Sequence, residues 1–409
     1  MKMISRRDFL KASAVVGATG VLTACGGSSA STAASSTAAS TAASSTAAAA
    51  SGSANVGVCI YQFADNFMTL YRTDLEEYLG DQYIARTRLI KAQTLLNLLL
   101  GRPVVNDIVV GDELLLPFHG YTGSGAQDFT DEAESEVGAL AELETVVEAN
   151  GGALFYLCIP EQSSYFRDDY PENMDNHAAN LDAMSAAFKE AMSAAGLRLI
   201  DAGETYAAEG SPREYYLNTD HHYSYRGMLS AYTALMDAVN AATGLDLRVY
   251  SESELSLEEL PNTVLGSLDR KLFGLYVTDE RLVISHLPEE IPFTRTDNGV
   301  SVEPEVFTVP PEGELISYGV YMGGDMGETI IDTDRPELPR LLLWGDSYSN
   351  AMETLLWASF DEARYLDYRY FDGARLAEYI EQYKPDVVVC IRDDLSFLNA
   401  EGNGSDCYW

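Results

Sequence analysis

Two short segments of the sequence contain residue types that could perform acyl transfer. The first is Asp220-x-His222, which lies just before an expected helix. The second is a Gly-Asp-Ser run that puts Ser347 between an apolar, strand-like run and another expected helix. A serine nucleophile needs a base, and the base needs a carboxylate that orients it. The two segments together could supply all three groups.

Each segment also has a purely structural explanation. Ser347 could simply cap the helix expected over 349–359, and Asp220 could start a helix beside surface histidines. The adjacent His221 and His222, together with Asp220, could instead bind a metal ion, although the sequence offers no further ligand at a useful spacing. The residue pattern by itself leaves these alternatives open.

The elements around these segments alternate between strand and helix patterns. Apolar runs of strand length occupy 152–160, 197–202, 340–347, 362–371 and 386–391. Amphipathic helical patterns occupy 176–195, 225–243, 349–359 and 376–383. This alternation predicts an α/β fold, with a mostly parallel sheet and helices on both faces. The interval 245–330, rich in Pro, Thr, Val and acidic residues, breaks the rhythm and predicts a β-rich insertion on that core.

The same two segments resemble motifs of a known group of proteins. YYLNTDHHYSYRG resembles the signature of the DHHW family and the D-x-H motif of the alginate O-acetyltransferase group of SGNH-hydrolase-like proteins. LLLWGDSYSNAM resembles their G-D-S block, and the likeness runs from about Leu75 to the C-terminus. It implies an SGNH-hydrolase-like, flavodoxin-like fold, with Ser347 as nucleophile, His222 as general base and Asp220 as its orienting carboxylate.

The resemblance also implies an oxyanion hole and flanking residues. A Gly-Gly-Asp run ending at Asp325 stands where the group tends to have Gly-Gly-Asn, so Gly324 and Asp325, with Tyr348 after the nucleophile, are the expected contributors. An ionised Asp325 cannot donate a hydrogen bond and would repel an oxyanion. Tyr223 replaces the Trp of the DHHW run and keeps an aromatic wall beside the secondary site residue His221.

The N-terminal residues resemble a targeting signal. A twin arginine followed by a short apolar stretch is similar to a twin-arginine export signal over residues 1–24, and Leu-Thr-Ala-Cys resembles a lipoprotein cleavage box ending at Cys25. We therefore expect a lipid on Cys25. Residues 25–55, almost all Ser, Ala, Thr and Gly, predict a disordered tether. Residues 56–79 are similar to the opening of periplasmic galactose-type sugar-binding lipoproteins, and 80–409 form the SGNH-like domain.

The charge balance excludes several classes of function. The chain holds 63 acidic and 26 basic residues among 409, a formal charge of −37. Such a surface repels phosphate backbones, so we expect no nucleic-acid partner. It also opposes an anionic polymer such as alginate, which favours a neutral or cationic glycan. Contact with the membrane is expected through the lipid anchor alone.

The remaining cysteines do not indicate a cofactor site. Cys59, Cys158 and Cys390 lie in apolar, strand-like runs, which predicts buried thiols, and with Cys407 their spacing shows no disulfide framework. The sequence contains no C-x-x-C motif or His/Cys cluster, so we expect neither a metal nor another cofactor.

The leading hypothesis is an extracytoplasmic lipoprotein on the outer face of the bacterial cytoplasmic membrane. It would be an O-acetyltransferase or acetylesterase of a cell-surface polysaccharide, with the glycan as acyl donor or acceptor and a membrane partner as a possible source of the acyl group. Two alternatives remain open. One is a non-catalytic glycan-binding lipoprotein on a degenerate SGNH scaffold, and the other is the sugar receptor of an ABC transporter, which rests on residues 56–79 alone.

Overall fold

The computed structural model describes residues 86–121 and 125–409. The predicted signal peptide, the predicted tether, the predicted lipidation site Cys25 and the segment similar to sugar-binding lipoproteins lie outside the described residues, as does Cys59. Within the described ranges, no helix is long and apolar enough to cross a bilayer. The candidate chemistry of Asp220, His222 and Ser347 falls entirely inside these ranges.

The strands of the described residues form one eight-stranded sheet and three smaller ones. The strands are β1 (Val104–Val105), β2 (Ile108–Val110), β3 (Leu115–Pro117), β4 (Ala153–Ile159), β5 (Leu199–Asp201), β6 (Ser256–Glu259), β7 (Thr263–Val264), β8 (Val283–His286), β9 (Thr294–Asp297), β10 (Val300–Val302), β11 (Leu315–Ile316), β12 (Glu328–Asp332), β13 (Leu341–Gly345), β14 (Glu362–Leu366) and β15 (Val387–Asp393). The helices are α1 (Arg86–Leu99), α2 (Thr130–Ala149), α3 (Gln162–Tyr165), α4 (Ala178–Ala195), α5 (Ala202–Ala208), α6 (Tyr225–Thr243), α7 (Ser267–Lys271), α8 (Ser349–Leu356) and α9 (Leu376–Tyr383).

The large sheet is mostly parallel. Its order is β10-β9-β12-β14-β13-β15-β4-β5, and the strands from β14 to β5 pair in parallel. β12, β9 and β10 extend it antiparallel at the β14 edge. The predicted α/β fold is therefore confirmed, and strands of the predicted β-rich insertion extend the central sheet at one edge.

Burial on both faces explains the continuous apolar runs of the central strands. Along β13, Leu341 and Leu343 pack into one hydrophobic cluster, with α6 and α8. Leu342 and Trp344 pack into the opposite cluster, with α2, α4 and α9. Side chains alternate between the faces of a strand, so a strand covered on both faces must be apolar throughout.

The central strands also bury their thiols. Cys158 on β4 and Cys390 on β15 are free and buried, as their apolar runs predicted. Cys407, near the C-terminus, is free and buried as well. These thiols pack as small hydrophobic groups inside the cluster that contains Trp344.

Candidate active site

The base and its carboxylate lie on a tight loop that precedes α6. An antiparallel bridge between Tyr216 and Tyr223 closes the loop, and the Leu217 N–H donates to the His222 carbonyl over 3.2 Å. Ser224 then caps α6, because its side chain accepts a hydrogen bond from a backbone N–H in the first turn. The cap fixes where the helix starts, and so fixes the loop in front of it.

The nucleophile lies where β13 ends and α8 begins. Gly345 closes the strand, and a Cβ there would lie 2.3 Å from the Ile391 carbonyl oxygen, so only glycine fits. Asp346 holds the turn, since one carboxylate oxygen accepts from the Tyr348 N–H (2.9 Å) and the other from the Asp393 N–H (3.3 Å). Burial and the nearby Asp393 charge raise the pKa of Asp346. Ser347 is therefore presented, partly exposed, at the carboxyl end of a parallel strand.

The structure brings Asp220, His222 and Ser347 into one hydrogen-bonded chain. His222 Nδ1 lies 2.6 Å from Asp220 Oδ1, and His222 Nε2 lies 2.8 Å from Ser347 Oγ. Asp220 is 1% exposed and His222 is 4% exposed. A base hydrogen-bonded to a hydroxyl on one side and to a carboxylate on the other is the arrangement that activates a serine.

The environment of Asp220 keeps it ionised. Burial on its own would raise the pKa of this carboxyl, but His222, His221 and the Ser267 N–H together lower it. The Ser267 N–H, at the start of α7, adds a further hydrogen bond to Asp220 Oδ2 over 2.6 Å. The pKa therefore lies well below its usual range, and the carboxylate is available to hold the His222 Nδ1–H.

Two of the predicted oxyanion donors are occupied, which corrects the sequence-based expectation. The Tyr348 N–H donates to Asp346, and the Gly324 N–H donates to the Tyr321 carbonyl oxygen over 3.0 Å. Among the described residues, no acceptor takes the Ser347 N–H. The free donor beside the nucleophile is therefore the N–H of Ser347 itself.

Asp325 is an acceptor in an ion pair and cannot serve as an oxyanion donor. Its Oδ2 lies 3.2 Å from Arg369 Nη2, and its Oδ1 accepts from Asn350 Nδ2 over 2.9 Å. Arg369 also pairs with Asp367 over 2.6 Å. The guanidinium offsets the charge that would otherwise repel an oxyanion. Asn350, on α8 three residues after Ser347, is the amide that holds Asp325, and the sequence interpretation missed this contact.

His221 is neutral and faces the mouth of the site. Its Nδ1 lies 2.6 Å from Ser267 Oγ, and its ring lies against the His222 ring with centroids 3.8 Å apart. Burial first, and the neighbouring His222 second, lower the pKa of His221 to about 3. Asp220, His221 and His222 place possible ligand atoms within 4.8 Å of one another. His222 Nδ1 already bonds Asp220, and His221 Nδ1 already bonds Ser267. A metal ion bound by these atoms would therefore have to break the hydrogen-bonded chain from Asp220 through His222 to Ser347.

Tyr223 supports the nucleophile turn from inside and does not form a wall of the cleft, which corrects the second sequence-based expectation. Its ring is fully buried, and its hydroxyl donates to the Tyr348 carbonyl oxygen. The Tyr348 hydroxyl in turn donates to the His221 carbonyl oxygen. These two tyrosines tie the base loop to the nucleophile turn across 125 and 127 residues of sequence.

Comparison with family models agrees with this fold and this loop. Residues 118–299 match the family described as SGNH hydrolase-like domain, acetyltransferase AlgX. The match includes Asp220 and His222 and ends before Ser347. Residues 3–23 match the twin-arginine translocation signal. The resemblance indicated by the motifs is thus confirmed as a similarity: residues 118–299 are similar to an SGNH hydrolase-like domain, and residues 3–23 are similar to an export signal.

Solved structures share the architecture at low sequence identity. Bacillus cereus PatB1 superposes with a TM-score of 0.60 and 19% identity, covering 71% of this chain and 96% of that chain. The same protein with a sulfonyl adduct gives 0.58 and 17%, covering 71% and 94%. A DHHW family protein from Eubacterium siraeum gives 0.54 and 18%, covering 72% and 93%. These likenesses define the fold, and no curated protein matches the chain.

Proposed function

We propose that the protein is an exported serine acyl-transfer enzyme that acts on O-acetyl groups of a cell-surface polysaccharide. The observation that carries the proposal is the continuous hydrogen-bonded chain from Asp220 through His222 to Ser347 Oγ. The match to an acetyltransferase family over the base loop supports the choice of acetyl as the transferred group.

The first half-reaction forms an acyl-enzyme. Ser347 Oγ attacks the acetyl carbonyl carbon while His222 Nε2 takes the hydroxyl proton, and Asp220 holds the Nδ1–H tautomer in place. The tetrahedral oxyanion accepts a hydrogen bond from the Ser347 N–H. Collapse of this intermediate breaks the bond to the donor oxygen, which leaves with the proton returned by His222.

The second half-reaction regenerates the enzyme. A sugar hydroxyl, or water, gives its proton to His222 and attacks the acetyl group on Ser347, so that the ester or acetate leaves and Ser347 recovers its proton. Transfer and hydrolysis share every group up to this step and differ in the acceptor. The formal charge of −37 favours a neutral or cationic glycan over an anionic one.

The proposed location is the outer face of the cytoplasmic membrane. The twin-arginine signal supports export. The Leu-Thr-Ala-Cys run supports a lipid on Cys25, with Ser/Ala/Thr-rich residues 25–55 as the tether. A membrane partner that delivers acetyl groups would meet the enzyme at this surface.

A non-catalytic, glycan-binding protein is the alternative that the Asp325 substitution raised. The ion pair with Arg369 weakens that argument, because the carboxylate charge beside the site is offset. The alternative predicts glycan affinity without turnover of any ester.

Mapping an acetyl adduct tests the proposal. The wild-type protein is incubated with an activated acetyl ester, digested and sequenced by mass spectrometry, with Ser347→Ala as the matched control. We expect one acetyl group on Ser347, and its transfer to a neutral oligosaccharide added afterwards. An unlabelled wild type that still binds the oligosaccharide would favour the non-catalytic alternative.

A further inference from the structure

The His222 ring lies against an aromatic side chain of the insertion. Tyr318 stacks face to face on the imidazole, with ring centroids 3.8 Å apart and an interplanar angle of 6°. Tyr318 is 5% exposed, so it acts through His222 and not on a substrate. We propose that Tyr318 is a positioning residue that fixes the plane of the His222 imidazole and stabilises the imidazolium formed in catalysis. This inference rests on the proposed acyl-transfer function.

The stacking geometry suits a charged imidazole better than a neutral one. Neutral aromatic rings prefer offset or edge-to-face arrangements. A cation over the face of a ring is attracted by the negative potential of that face. His222 becomes a cation when it takes the Ser347 proton, so the contact with Tyr318 strengthens as the reaction proceeds. Only interactions that are stronger in the transition state than in the ground state accelerate the chemical step.

A small parallel ladder in the insertion holds Tyr318 and Ser267 at the same place. β11 pairs in parallel with β7, and the Leu265 N–H donates to the Ile316 carbonyl oxygen over 2.7 Å. Tyr318 follows β11 and Ser267 follows β7, so both reach the base loop from the carboxyl ends of paired strands. The edge of the Tyr321 ring supports Tyr318 from one side, at 4.8 Å and 73°.

The hydroxyl of Tyr318 does not explain the position of the ring. Tyr318 Oη is buried and has no hydrogen-bond partner within the described residues. A buried, unpaired hydroxyl is unfavourable, so the face of the ring is the part that acts on His222. Phenylalanine would keep that face, and methionine would fill the volume without a π-system.

Three full-chain variants test the proposal through steady-state kinetics. We expect Tyr318→Met to lower kcat about tenfold with KM unchanged, the size expected for one lost aromatic or cation–π contact. Tyr318→Phe should retain kcat within about twofold, because it keeps that contact. The matched control is Phe293→Leu, which removes an insertion aromatic that packs on Trp357, away from His222. It should lower the melting temperature and leave kcat unchanged.

A second readout separates this proposal from the proposed function. In proton NMR, the His222 Nδ1–H signal should be sharp in the wild type and Tyr318→Phe, and broadened in Tyr318→Met, whether or not any ester is turned over. Equal kcat in Tyr318→Met and wild type, an equal loss in Tyr318→Phe, or an unchanged Nδ1–H signal in Tyr318→Met would each overturn the positioning role. A wild type in which Ser347 is never acylated, with the NMR pattern as expected, would contradict the proposed acyl-transfer function but not the positioning role of Tyr318.

Discussion

The α/β core and the insertion position the two halves of the site in different ways. Ser347 follows β13, a five-residue strand buried on both faces and paired in parallel on both sides. The groups that hold the base, Ser267 and Tyr318, follow β7 and β11, a ladder of only two residue pairs. Among the described residues, the nucleophile thus follows a central strand of the eight-stranded sheet, and the groups that hold the base follow a two-stranded sheet.

This difference separates stability from catalysis. A change in the core removes packing that the whole fold needs, so its effect should appear in the free energy of unfolding. A change at Ser267 or Tyr318 alters a few local contacts to the base loop, so its effect should appear in kcat at nearly constant stability. Mutations in the core and in the insertion can therefore test whether effects on stability and effects on kcat separate in this way.

The largest effect is expected where the insertion meets the base. Asp220→Asn keeps the shape of the side chain but replaces the acceptor that holds the His222 Nδ1–H, so the imidazole can present the wrong tautomer. We expect kcat to fall about 10⁴-fold, as in other serine triads. Circular dichroism at neutral pH should show a folded protein, and activity within tenfold of the wild type would contradict the assigned role of Asp220.

A smaller effect is expected from deleting one backbone donor of the insertion. Ser267 is the first residue of α7, a position that proline tolerates. Ser267→Pro removes the N–H bonded to Asp220 together with the hydroxyl bonded to His221, so the contribution of the N–H is read against a variant that loses the hydroxyl alone. A hydrogen bond to a charged group is worth about 1.5–3 kcal/mol, so kcat should fall about tenfold or more.

Ser267→Ala is the matched control for the proline variant. It keeps the N–H bonded to Asp220 and loses the hydroxyl that bonds the backbone N–H and Nδ1 of His221. Its kcat should stay within about threefold of the wild type, because neither lost hydrogen bond reaches Asp220 or His222. Equal kcat values for the proline and alanine variants would show that the α7 backbone does not support Asp220.

The smallest effect on turnover, and a clear one on stability, is expected in the core. Glu353 on α8 is buried, and burial raises its pKa to about 7 from an ordinary 4.5, against an opposing hydrogen bond from Ser349. The native state therefore keeps this proton between about pH 4.5 and 7, where the unfolded chain has released it, so stability falls as pH rises through that window. Glutamine does not titrate, so in Glu353→Gln the free energy of unfolding should fall by about 2–3 kcal/mol less than in the wild type over this pH window.

Urea unfolding of the wild type and Glu353→Gln at pH 4.5 and pH 7.5 measures this difference. Glu190→Gln, on the exposed face of α4, is the matched control and should follow the wild type. Parallel pH dependence of the wild type and Glu353→Gln would show that Glu353 does not hold a proton in the folded protein.

The sequence predicts the core well because burial on both faces leaves a clear pattern. The apolar run over 340–347 contains β13, the run over 386–391 covers all but the last two residues of β15, and the patterns over 225–243 and 376–383 have the bounds of α6 and α9. The insertion is predicted only as β-rich. Strand β9 (TRTD) is polar throughout, and β12 (ETIID) has only two apolar residues, which are adjacent, so nothing in their composition indicates that they would join the central sheet.

The residues of the candidate site also differ in how far the sequence reveals them. Asp220, His222 and Ser347 stand out because their residue types and spacing suit one reaction. Ser267 acts through a backbone N–H, which every residue but proline has, and Tyr318 acts through a ring in a segment without periodicity. The occupied N–H of Gly324 depends on a turn that the sequence does not reveal. Contacts made by backbone groups and by irregular segments can therefore be identified only from the three-dimensional structure.

The rate at which Ser347 becomes acetylated tests the central claim most directly. Quenched samples of wild type and His222→Ala, mixed with an activated acetyl ester, can be followed by mass spectrometry of the Ser347 peptide. We predict rapid acetylation of the wild type and a rate lower by at least about 10³-fold in the folded variant, as expected when a triad loses its base. Acetylation of Ser347 at equal rates in both proteins, or in neither, would contradict the triad.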